Sequence, residues 1–401
     1  MEDGLKPIFS RHKDSRLKVD HVSFSTSGGA GKIASLLVES QRKIGLDSNL
    51  LTLTQSNLRE SPFEHFVLTS LAALDQHVVA ATKSDFISLA RASYPGAKRD
   101  GLNIDAPLVH LHWLPGVFDH RFGNFGMSSE QRFIWTLHDF RPLTGACHFP
   151  GVCGKFADNC RGCPQVRQIF HKQVEVSLES SASRYSEMRG VFVSPSRGLQ
   201  VAARQSKAGR AWSVHYIPNP TTFTRVTRTR DIVSPHRLRF LFVAANVNDK
   251  RKGLATVLSW WKENASSFGE MRIVGANSEA YSSKGERITG LGSMGRFELL
   301  EEYSLADVLV FASDGDNAPG VVADAVSLDV PILYLGGDRM REWLELDETP
   351  FVDARTFTNP RALQGYFEEI YPDKRTNFLD RRDPVKVAKS YSRIYSQLMN
   401  W

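Results

Sequence analysis

The sequence predicts an α/β protein made of two parallel-sheet units that face one another across a cleft. Short runs of β-branched and aromatic residues alternate with amphipathic segments along most of the 401 residues, which is typical of parallel strands joined by helices. Polar loops follow several of the predicted strands, and in open sheets of this kind ligands bind at the carboxyl ends of the strands. A chain of this length can bury two full cores.

The strand candidates divide into two series. The first unit is predicted over residues 1–200 and the second over residues 201–375, and residues 376–401 are predicted to form a helix that packs back on the first unit. A Thr/Arg-rich stretch at 218–237 is interpreted as the connection. The strand candidates are residues 19–24, 49–53, 108–113, 133–137, 191–193, 215–217, 238–244, 271–274, 308–311 and 332–335.

Composition indicates a soluble globular protein, with 41% hydrophobic and 23% charged residues. No apolar run reaches the length of a membrane span, and the N-terminus lacks the apolar core of a signal peptide. We therefore expect a cytoplasmic protein. Residues 151–230 contain 13 Lys or Arg and four acidic residues, so an anionic partner such as a membrane surface or a lipid-linked phosphate is one interpretation. A solvated face with scattered charges is the other.

A glycine-rich turn follows the first predicted strand, in the segment STSGGAGKIASLL that begins at Ser25. The segment is not a P-loop, which needs a glycine where Thr26 stands and a hydroxyl residue where Ile33 stands. What remains is a glycine-lined turn at a helix N-terminus, where free amides and the helix dipole favour an anion. An ordinary strand-to-helix turn is the alternative, and this loop alone does not decide between them.

All four cysteines lie within 17 residues, with the spacing C-x5-C-x6-C-x2-C. Four cysteines this close in a cytosolic chain more often bind a metal than form disulfides. The spacing predicts a closed structural zinc site that braces the loop 147–163, and free thiols are the alternative. The predicted ligands are Cys147, Cys153, Cys160 and Cys163.

Three further loops at predicted strand ends carry polar residues. His138 and Asp139 follow the strand at 133–137, and Lys250-Arg251-Lys252-Gly253 follows the strand at 238–244. The segment DNAPGVVAD, residues 316–324, follows the strand at 308–311 and opens a helix, for which Pro319 suits the first turn. Its two carboxylates could bind sugar and ribose hydroxyls while the helix amides hold phosphate. A helix cap with a solvated face is the alternative for the two acids.

In this segment the sequence resembles the acid-x7-acid signature of family 4 retaining glycosyltransferases with the GT-B fold. Other matches occur in the same order along the chain, over residues 19 to 345. They are HVSFSTSGGAGKIASLL, TLHDFRPLTGACHFPGVCGKFADNCRGCP, VFVSPSRGL, IPNP, AANVNDKRKGLATVL and GSMGRFELLEEYSLADVLVFAS. The resemblance implies two Rossmann-like domains, the second of which binds a nucleotide sugar and the first an acceptor.

The resemblance also implies a role for each motif. Lys252 neutralises the donor diphosphate, His138 lies beside the transferred sugar, and Asp316 orients the sugar ring through its hydroxyls. Asp324 binds the ribose of the nucleotide. A divalent metal is not required for catalysis. The donor-binding residues implied are Gly28, Gly29, Ala30, Arg251, Lys252, Asn317, Ala318, Pro319, Gly320 and Asp324, and the catalytic residues are His138 and Asp316.

The implied function is transfer of a sugar from a nucleotide-diphosphate sugar to a glycan or lipid-linked acceptor, in exopolysaccharide or capsule synthesis, at the inner face of the membrane. Both family glutamates are aspartates here, one methylene shorter. A GT-B scaffold with weakened catalysis that binds sugar nucleotides or regulates is therefore the main alternative. A zinc-containing nucleic-acid binder is a third hypothesis, but no pattern of aromatic and basic residues accompanies the cysteines, so no nucleic-acid partner is expected.

Overall fold

The computed structural model describes residues 17–52, 78–82, 86–89, 104–114, 130–221, 238–265, 269–356, 366, 369 and 371–400. Within them are two sheets of six strands each, and all the strand pairs are parallel. The predicted α/β class with two parallel sheets is confirmed. Residues 1–16, the last residue of the strand predicted at 49–53 and nearly all of the connection predicted at 218–237 lie outside the described residues.

The first sheet has the strand order β2-β1-β3-β4-β5-β6. The central strands β3, β4 and β5 are buried along nearly their whole length, as is typical of parallel strands covered on both faces, whereas the edge strands β2 and β6 are partly exposed. Their bounds are β1 Lys18–Ser23, β2 Asp47–Thr52, β3 Leu108–Leu111, β4 Arg132–Thr136, β5 Gly190–Ser194 and β6 Ser213–Tyr216. The helices of this unit are α1 Gly28–Lys43, α2 His171–Glu187 and α3 Arg197–Gln205.

The second sheet has the strand order β12-β11-β10-β7-β8-β9. The bounds are β7 Leu238–Asn246, β8 Gly269–Ala276, β9 Ile288–Gly290, β10 Val308–Phe311, β11 Ile332–Tyr334 and β12 Val352–Asp353. Helices α4 Leu254–Asn264, α5 Arg296–Leu305, α6 Gly320–Ser327 and α7 Asp338–Leu346 alternate with these strands. The edge strands β9 and β12 were not predicted, because runs of three and two residues carry no periodic signal.

Two helices complete the chain, α8 Tyr371–Arg381 and α9 Pro384–Met399. Helix α8 packs on the second unit, where Arg375 donates to the carbonyl of Val326 at 2.8 Å. Asp383 is the N-cap residue of α9, and its carboxylate accepts a hydrogen bond from the amide of Lys386 at 2.9 Å. Its apolar face lies on the first sheet beside α1, and its buried members are Val387, Ala388, Tyr391, Ile394, Tyr395 and Leu398.

The predicted unit boundaries at residues 200 and 375 stay predictions, and two observations concern them. The first sheet continues past residue 200, because β6 pairs with β5 through Val214 and Phe192. The boundary predicted at residue 375 falls inside α8, and the helix that returns to the first unit is α9.

The two units touch along α3 and α7. The amide of Arg197 donates to the Asp347 carboxylate at 2.8 Å. Gly198 lies so close to the Trp343 ring that a β-carbon there would come within 2.2 Å of it. On the same side, the rings of Phe140 and Trp343 stack with centroids 6.2 Å apart. The carboxyl ends of the strands of both sheets therefore border a shared cleft.

Candidate active site

The glycine-rich turn connects β1 to α1, and α1 begins at Gly28. Ser27 precedes the helix, and its side chain makes no capping hydrogen bond. Gly28 has a φ of +72°, and a β-carbon on Gly29 would meet nothing within 4 Å. Gly31, by contrast, packs on the carbonyl of Ser25, which a β-carbon would approach to 2.5 Å. The first turn of α1, including Ala30, therefore presents amides without a side-chain cap, next to open space.

Lys252 lies in a 3₁₀ turn after β7 and forms an ion pair with Asp316, with Nζ 2.6 Å from Oδ2. Both side chains are mostly buried, with 24% and 18% of their surface exposed. Gly253 ends the turn with a φ of +75°, packed against the carbonyl of Ala312. The fold thus joins two predicted site residues that are 64 positions apart.

Arg251 is held in place on both sides. Its Nε and Nη2 donate to the Asp249 carboxylate at 3.1 and 2.5 Å, and its guanidinium carbon lies 3.8 Å from the centre of the Phe149 ring. Its backbone carbonyl accepts hydrogen bonds from the Asp314 amide and the Ser313 hydroxyl. Arg251 therefore fixes the loop after β7 against the loop after β10 and against the first unit.

The loop before α6 reaches the first unit through Asn317. This side chain is buried, and its Nδ2 donates to the carbonyl of His138 at 3.2 Å. Helix α6 begins at Gly320, and Pro319, with a ψ of 113°, is its N-cap residue and not part of the first turn. Ala318 and Asp324 are partly buried, and Asp324 lies in the second turn of α6.

His138 follows β4 and is partly buried. Its Nε2 lies 3.0 Å from Nδ1 of His112. Burial lowers the pKa of His138 to about 4, although the charge of Asp139 opposes this shift, so the ring is neutral at pH 7. The contacts above thus bring together His138, Asn317, Asp316 and Lys252. Among the described residues, no hydrogen bond joins the glycine turn to this group.

Asp139, next to His138, has a structural role. Burial alone would raise the pKa of this carboxyl, but the charge and hydrogen bond of His148 and two further hydrogen bonds lower it. The carboxylate accepts from His148 Nδ1 at 2.6 Å, from Trp113 Nε1 at 2.7 Å and from the amide of Arg141 at 2.8 Å. Asp139 therefore holds the loop after β4 in shape.

The zinc site predicted at the cysteine loop stays a prediction that the structure does not support. All four thiols are free, and Cys147, Cys160 and Cys163 are buried in the apolar core of the first unit. A hydrogen bond from Cys147 lowers the pKa of the Cys163 thiol to about 7. In the described part of the chain, one group of at least three metal-ligating side chains has all its ligand atoms within 4.8 Å of one another. This group consists of His21, His110 and His112. The geometry therefore does not support four thiolates around one ion.

The cleft between the units is lined by residues of both, and of these only Asp316 and Asn317 were predicted as site residues. Phe140, Phe149, Pro150 and Gly151 come from the first unit, and Asp314, Gly315, Asp316, Asn317, Arg339, Met340 and Trp343 come from the second. Arg339 lies over the Trp343 ring at 5.0 Å. No motif points to Trp343, since a single tryptophan on an amphipathic helix is indistinguishable from a core residue by sequence.

Comparison of the structure with solved structures identifies the fold. Sucrose-phosphate synthase from Thermosynechococcus elongatus superposes with a TM-score of 0.56 and 16% identity, over 96% of this chain and all of that one. HepE from Anabaena, solved with UDP and glucose, superposes with a TM-score of 0.51 and 12% identity, over 95% of this chain and all of that one. AviGT4, a glycosyltransferase of avilamycin A biosynthesis, also superposes with a TM-score of 0.51, at 14% identity, over 96% of this chain and 98% of that one.

The chain has the GT-B fold of glycosyltransferases. The predicted GT-B fold is thereby confirmed. A curated relative, the colanic acid biosynthesis glycosyl transferase WcaC of Escherichia coli K12, is 23% identical over 279 residues, which are 65% of this chain and 67% of WcaC. No family model matches the chain. The GT-B fold and this relative support the resemblance to family 4 glycosyltransferases on which the sequence interpretation rests.

Proposed function

We propose that this chain is a retaining glycosyltransferase of polysaccharide biosynthesis, which transfers a sugar from a nucleotide-diphosphate sugar to a glycan or lipid-linked acceptor. The observation that carries the proposal is the Lys252–Asp316 ion pair in the cleft of a GT-B fold, next to the contact between Asn317 and His138. The name of WcaC supports the polysaccharide context, and HepE, which was solved with UDP and glucose, supports a sugar nucleotide as donor.

The donor diphosphate is proposed to bind between the glycine turn and Lys252. Gly28, Gly29 and Ala30 offer amides at the positive end of the α1 dipole. Lys252 supplies a point charge on the opposite side, and it is shared with Asp316 until the diphosphate arrives. Because negative charge on the diphosphate grows as the sugar leaves, Lys252 stabilises the transition state more than the ground state. Arg251 keeps its loop in place.

The sugar is proposed to lie against Asp316, Asn317 and the loop that leads into α6. A carboxylate only accepts hydrogen bonds, so Asp316 selects sugar hydroxyls as its donors. Backbone amides at Ala318 and Gly320 border the sugar and the phosphate, while Pro319, which has no amide hydrogen, shapes the turn. The remaining carboxylate, Asp324, is assigned to the ribose.

The proposed reaction proceeds on one face of the sugar. The bond from the anomeric carbon to the diphosphate oxygen breaks, and the acceptor hydroxyl oxygen bonds to the same carbon on the same face. The departing diphosphate takes the hydroxyl proton. Neutral His138 lies beside the developing oxocarbenium ion without adding positive charge, since its pKa is lowered to about 4. Lys252 and the α1 dipole provide the charge stabilisation for this step, so the proposed reaction needs no divalent metal.

The binding step can be tested by thermal shift against UDP-, GDP- and ADP-sugars. A ligand that binds only the folded protein raises its melting temperature. Lys252→Ala removes a charge-assisted contact and should weaken donor binding about 10- to 100-fold. Lys250→Ala is the matched control, because Lys250 is an exposed member of the same turn. If no nucleotide sugar raises the melting temperature, the assignment of a sugar-nucleotide donor is refuted. If donor binding weakens equally in both variants, Lys252 does not contact the donor.

The second candidate is a catalytically weakened scaffold that binds sugar nucleotides. It is favoured by the shorter aspartates at positions 316 and 324, because an error of 1 Å in position can cost about 100-fold in rate. Release of nucleoside diphosphate in the presence of an acceptor distinguishes the two candidates. Binding without any release would favour the scaffold.

Location and metal content stay predictions. No helix within the described ranges is both long and apolar enough to cross a membrane. Contact with the inner membrane surface is proposed from the basic composition of residues 151–230 alone, and co-sedimentation with anionic against neutral vesicles tests it. Elemental analysis of the wild type and of Cys160→Ser tests for zinc, which the positions of the thiols do not favour.

A further inference from the structure

Four histidines form a row across the carboxyl end of the first sheet. His21 belongs to β1, His110 to β3, His112 follows β3 and His138 follows β4. The first three are fully buried. Neighbouring rings lie with centroids 4.5, 4.4 and 5.3 Å apart along the order His21, His110, His112 and His138. The proposed function uses only His138, so the other three histidines need a separate explanation.

Hydrogen bonds run through this row from the interior to the cleft. His21 Nε2 lies 2.8 Å from Oε1 of Gln41. His21 Nδ1 then lies 2.9 Å from His112 Nε2, and His112 Nδ1 lies 3.0 Å from His138 Nε2. The Gln41 oxygen also accepts from the Ser48 hydroxyl at 2.7 Å. These bonds form one continuous path, the histidine chain Gln41–His21–His112–His138.

The Gln41 amide is oriented from both of its ends. Its Nε2 donates to the hydroxyl of Tyr395 at 2.7 Å, and that hydroxyl lies 2.6 Å from His110 Nδ1. His110 Nε2 in turn lies 2.8 Å from the hydroxyl of Thr136. Tyr395 belongs to α9, so the last helix of the chain supplies one of the anchors that set the Gln41 orientation.

A metal ion does not explain the three buried histidines. Both nitrogens of His110 already face hydroxyl groups. The ring of His112 is stacked with those of His21 and His110, at 20° and 19° between the planes, and the rings of His21 and His110 are tilted by 35°. Lone pairs lie in the ring plane, so stacked rings do not aim them at one point. A ligand set for zinc needs converging nitrogens, and the arrangement fits a hydrogen-bond network instead.

Burial keeps the three imidazole rings of the histidine chain neutral. It lowers the pKa of His21 and of His138 to about 4, and that of His112 well below its usual range. A neutral imidazole has one N–H donor and one bare acceptor nitrogen. Each ring that donates a hydrogen bond from one nitrogen must therefore accept one at the other nitrogen. Once the direction of the first hydrogen bond is known, the tautomer of every ring in the histidine chain follows.

The end is fixed at Gln41, whose carbonyl oxygen can only accept. His21 must therefore donate from Nε2 and accept at Nδ1. His112 must then donate from Nε2 and accept at Nδ1, and His138 must donate from Nε2. We propose that the histidine chain locks His138 in the Nε2–H tautomer and leaves its Nδ1 as a bare hydrogen-bond acceptor. Within the described residues, no group bonds to that Nδ1.

The consequence for catalysis rests on the proposed function. A bare Nδ1 beside the transferred sugar accepts a hydrogen bond from a sugar hydroxyl, which the other tautomer could not do. His112 is then a positioning residue, since it acts through His138 and does not touch the sugar. A correctly oriented hydrogen bond of this kind is worth about tenfold in rate.

The tautomer can be read by nitrogen NMR of the protein labelled with ¹⁵N-histidine, without any substrate. We expect His138 to have a protonated Nε2 and a bare Nδ1 at pH 7. His112→Phe removes the acceptor and should release this preference. His112→Asn, which offers a side-chain oxygen in about the same place, should restore it. His215→Phe is the control, because His215 lies on β6 of the same sheet and makes none of the hydrogen bonds of the histidine chain.

Transfer rates give the second measurement. We expect kcat to fall about tenfold in His112→Phe with KM little changed, and to recover in His112→Asn. A protonated Nδ1 in the wild type would overturn the proposal, and so would an unchanged His138 spectrum in a folded His112→Phe protein. If the wild type transfers no sugar, the proposed function fails, while the NMR result still decides the tautomer.

Discussion

The buried histidine row predicts that the protein loses stability in mild acid. His21 is fully buried, and burial lowers its pKa to about 4 from 6.5. A histidine of the unfolded chain takes up a proton near pH 6.5, whereas folded His21 does so only near pH 4. Its contribution to stability is therefore complete above pH 6.5 and is lost as the pH falls towards 4.

The size of the effect follows from this pKa difference. Each pKa unit corresponds to about 1.4 kcal/mol, so His21 alone lowers the free energy of unfolding by about 2.5 kcal/mol between pH 7 and pH 4.5. His110 and His112 act in the same direction, since burial lowers both pKa values. His138 also lowers the free energy of unfolding in acid, but by less, because its side chain is partly exposed. A domain is typically stable by about 5–15 kcal/mol, so the loss is a large share of the total.

The assay is urea unfolding at several pH values between 7 and 4.5, a window that lies above most carboxylate titration. We expect the free energy of unfolding to fall by at least about 1.4 kcal/mol per pH unit below pH 6, which is the uptake of one proton. His21→Gln should reduce this slope by an amount that corresponds to about one proton. His215→Gln should reduce it by less, because His215 is only partly buried. A flat profile in the wild type, or an unchanged slope in His21→Gln, would refute the reasoning.

Three other predictions concern the turn, the last helix and the ion pair. Gly31→Ala should cost about 1–3 kcal/mol in urea unfolding, because its β-carbon would come within 2.5 Å of a backbone oxygen, whereas Gly29→Ala, which has open space, should be neutral or slightly stabilising. Tyr395→Phe removes the hydroxyl that joins α9 to the histidine chain and should cost about 1–3 kcal/mol in the same assay. Asp316→Asn should lower the transfer rate about 10- to 100-fold yet bind nucleoside diphosphate at least as tightly by calorimetry, because Lys252 loses its competing partner.

Local patterns in the sequence were sufficient for ten of the twelve strands that the structure describes and for most of the turns. The run 238–244 is apolar because β7 lies in the centre of a covered sheet, and the glycines before residue 32 mark the start of α1. The polar loops at strand ends could be predicted to lie near a cleft, since carboxyl ends of parallel strands share an edge. Apolar runs, turn glycines and polar loops are properties of short segments, so a short stretch of sequence is enough to predict them.

The pairs that build the site could not be predicted in this way. Lys252 meets Asp316 across 64 residues, and Asn317 meets the carbonyl of His138 across 179. The alternating histidines of LVHLHW were a signal, because period-two spacing places two such residues on one face of an extended segment. The partner on β1, His21, becomes visible only when β1 and β3 pair. The cysteine spacing predicts zinc, and the spacing gave no sign that Cys147, Cys160 and Cys163 would pack in the apolar core of the first unit.

The central claim is that the glycine turn and the loop before α6 hold the two ends of one activated sugar. A crystal structure of the complex with the nucleotide sugar selected by thermal shift tests it most directly. The account predicts the diphosphate between the first turn of α1 at Gly29 and the Nζ of Lys252, with the sugar on Asp316. A diphosphate bound on a surface that touches neither Gly29 nor Lys252 would contradict it.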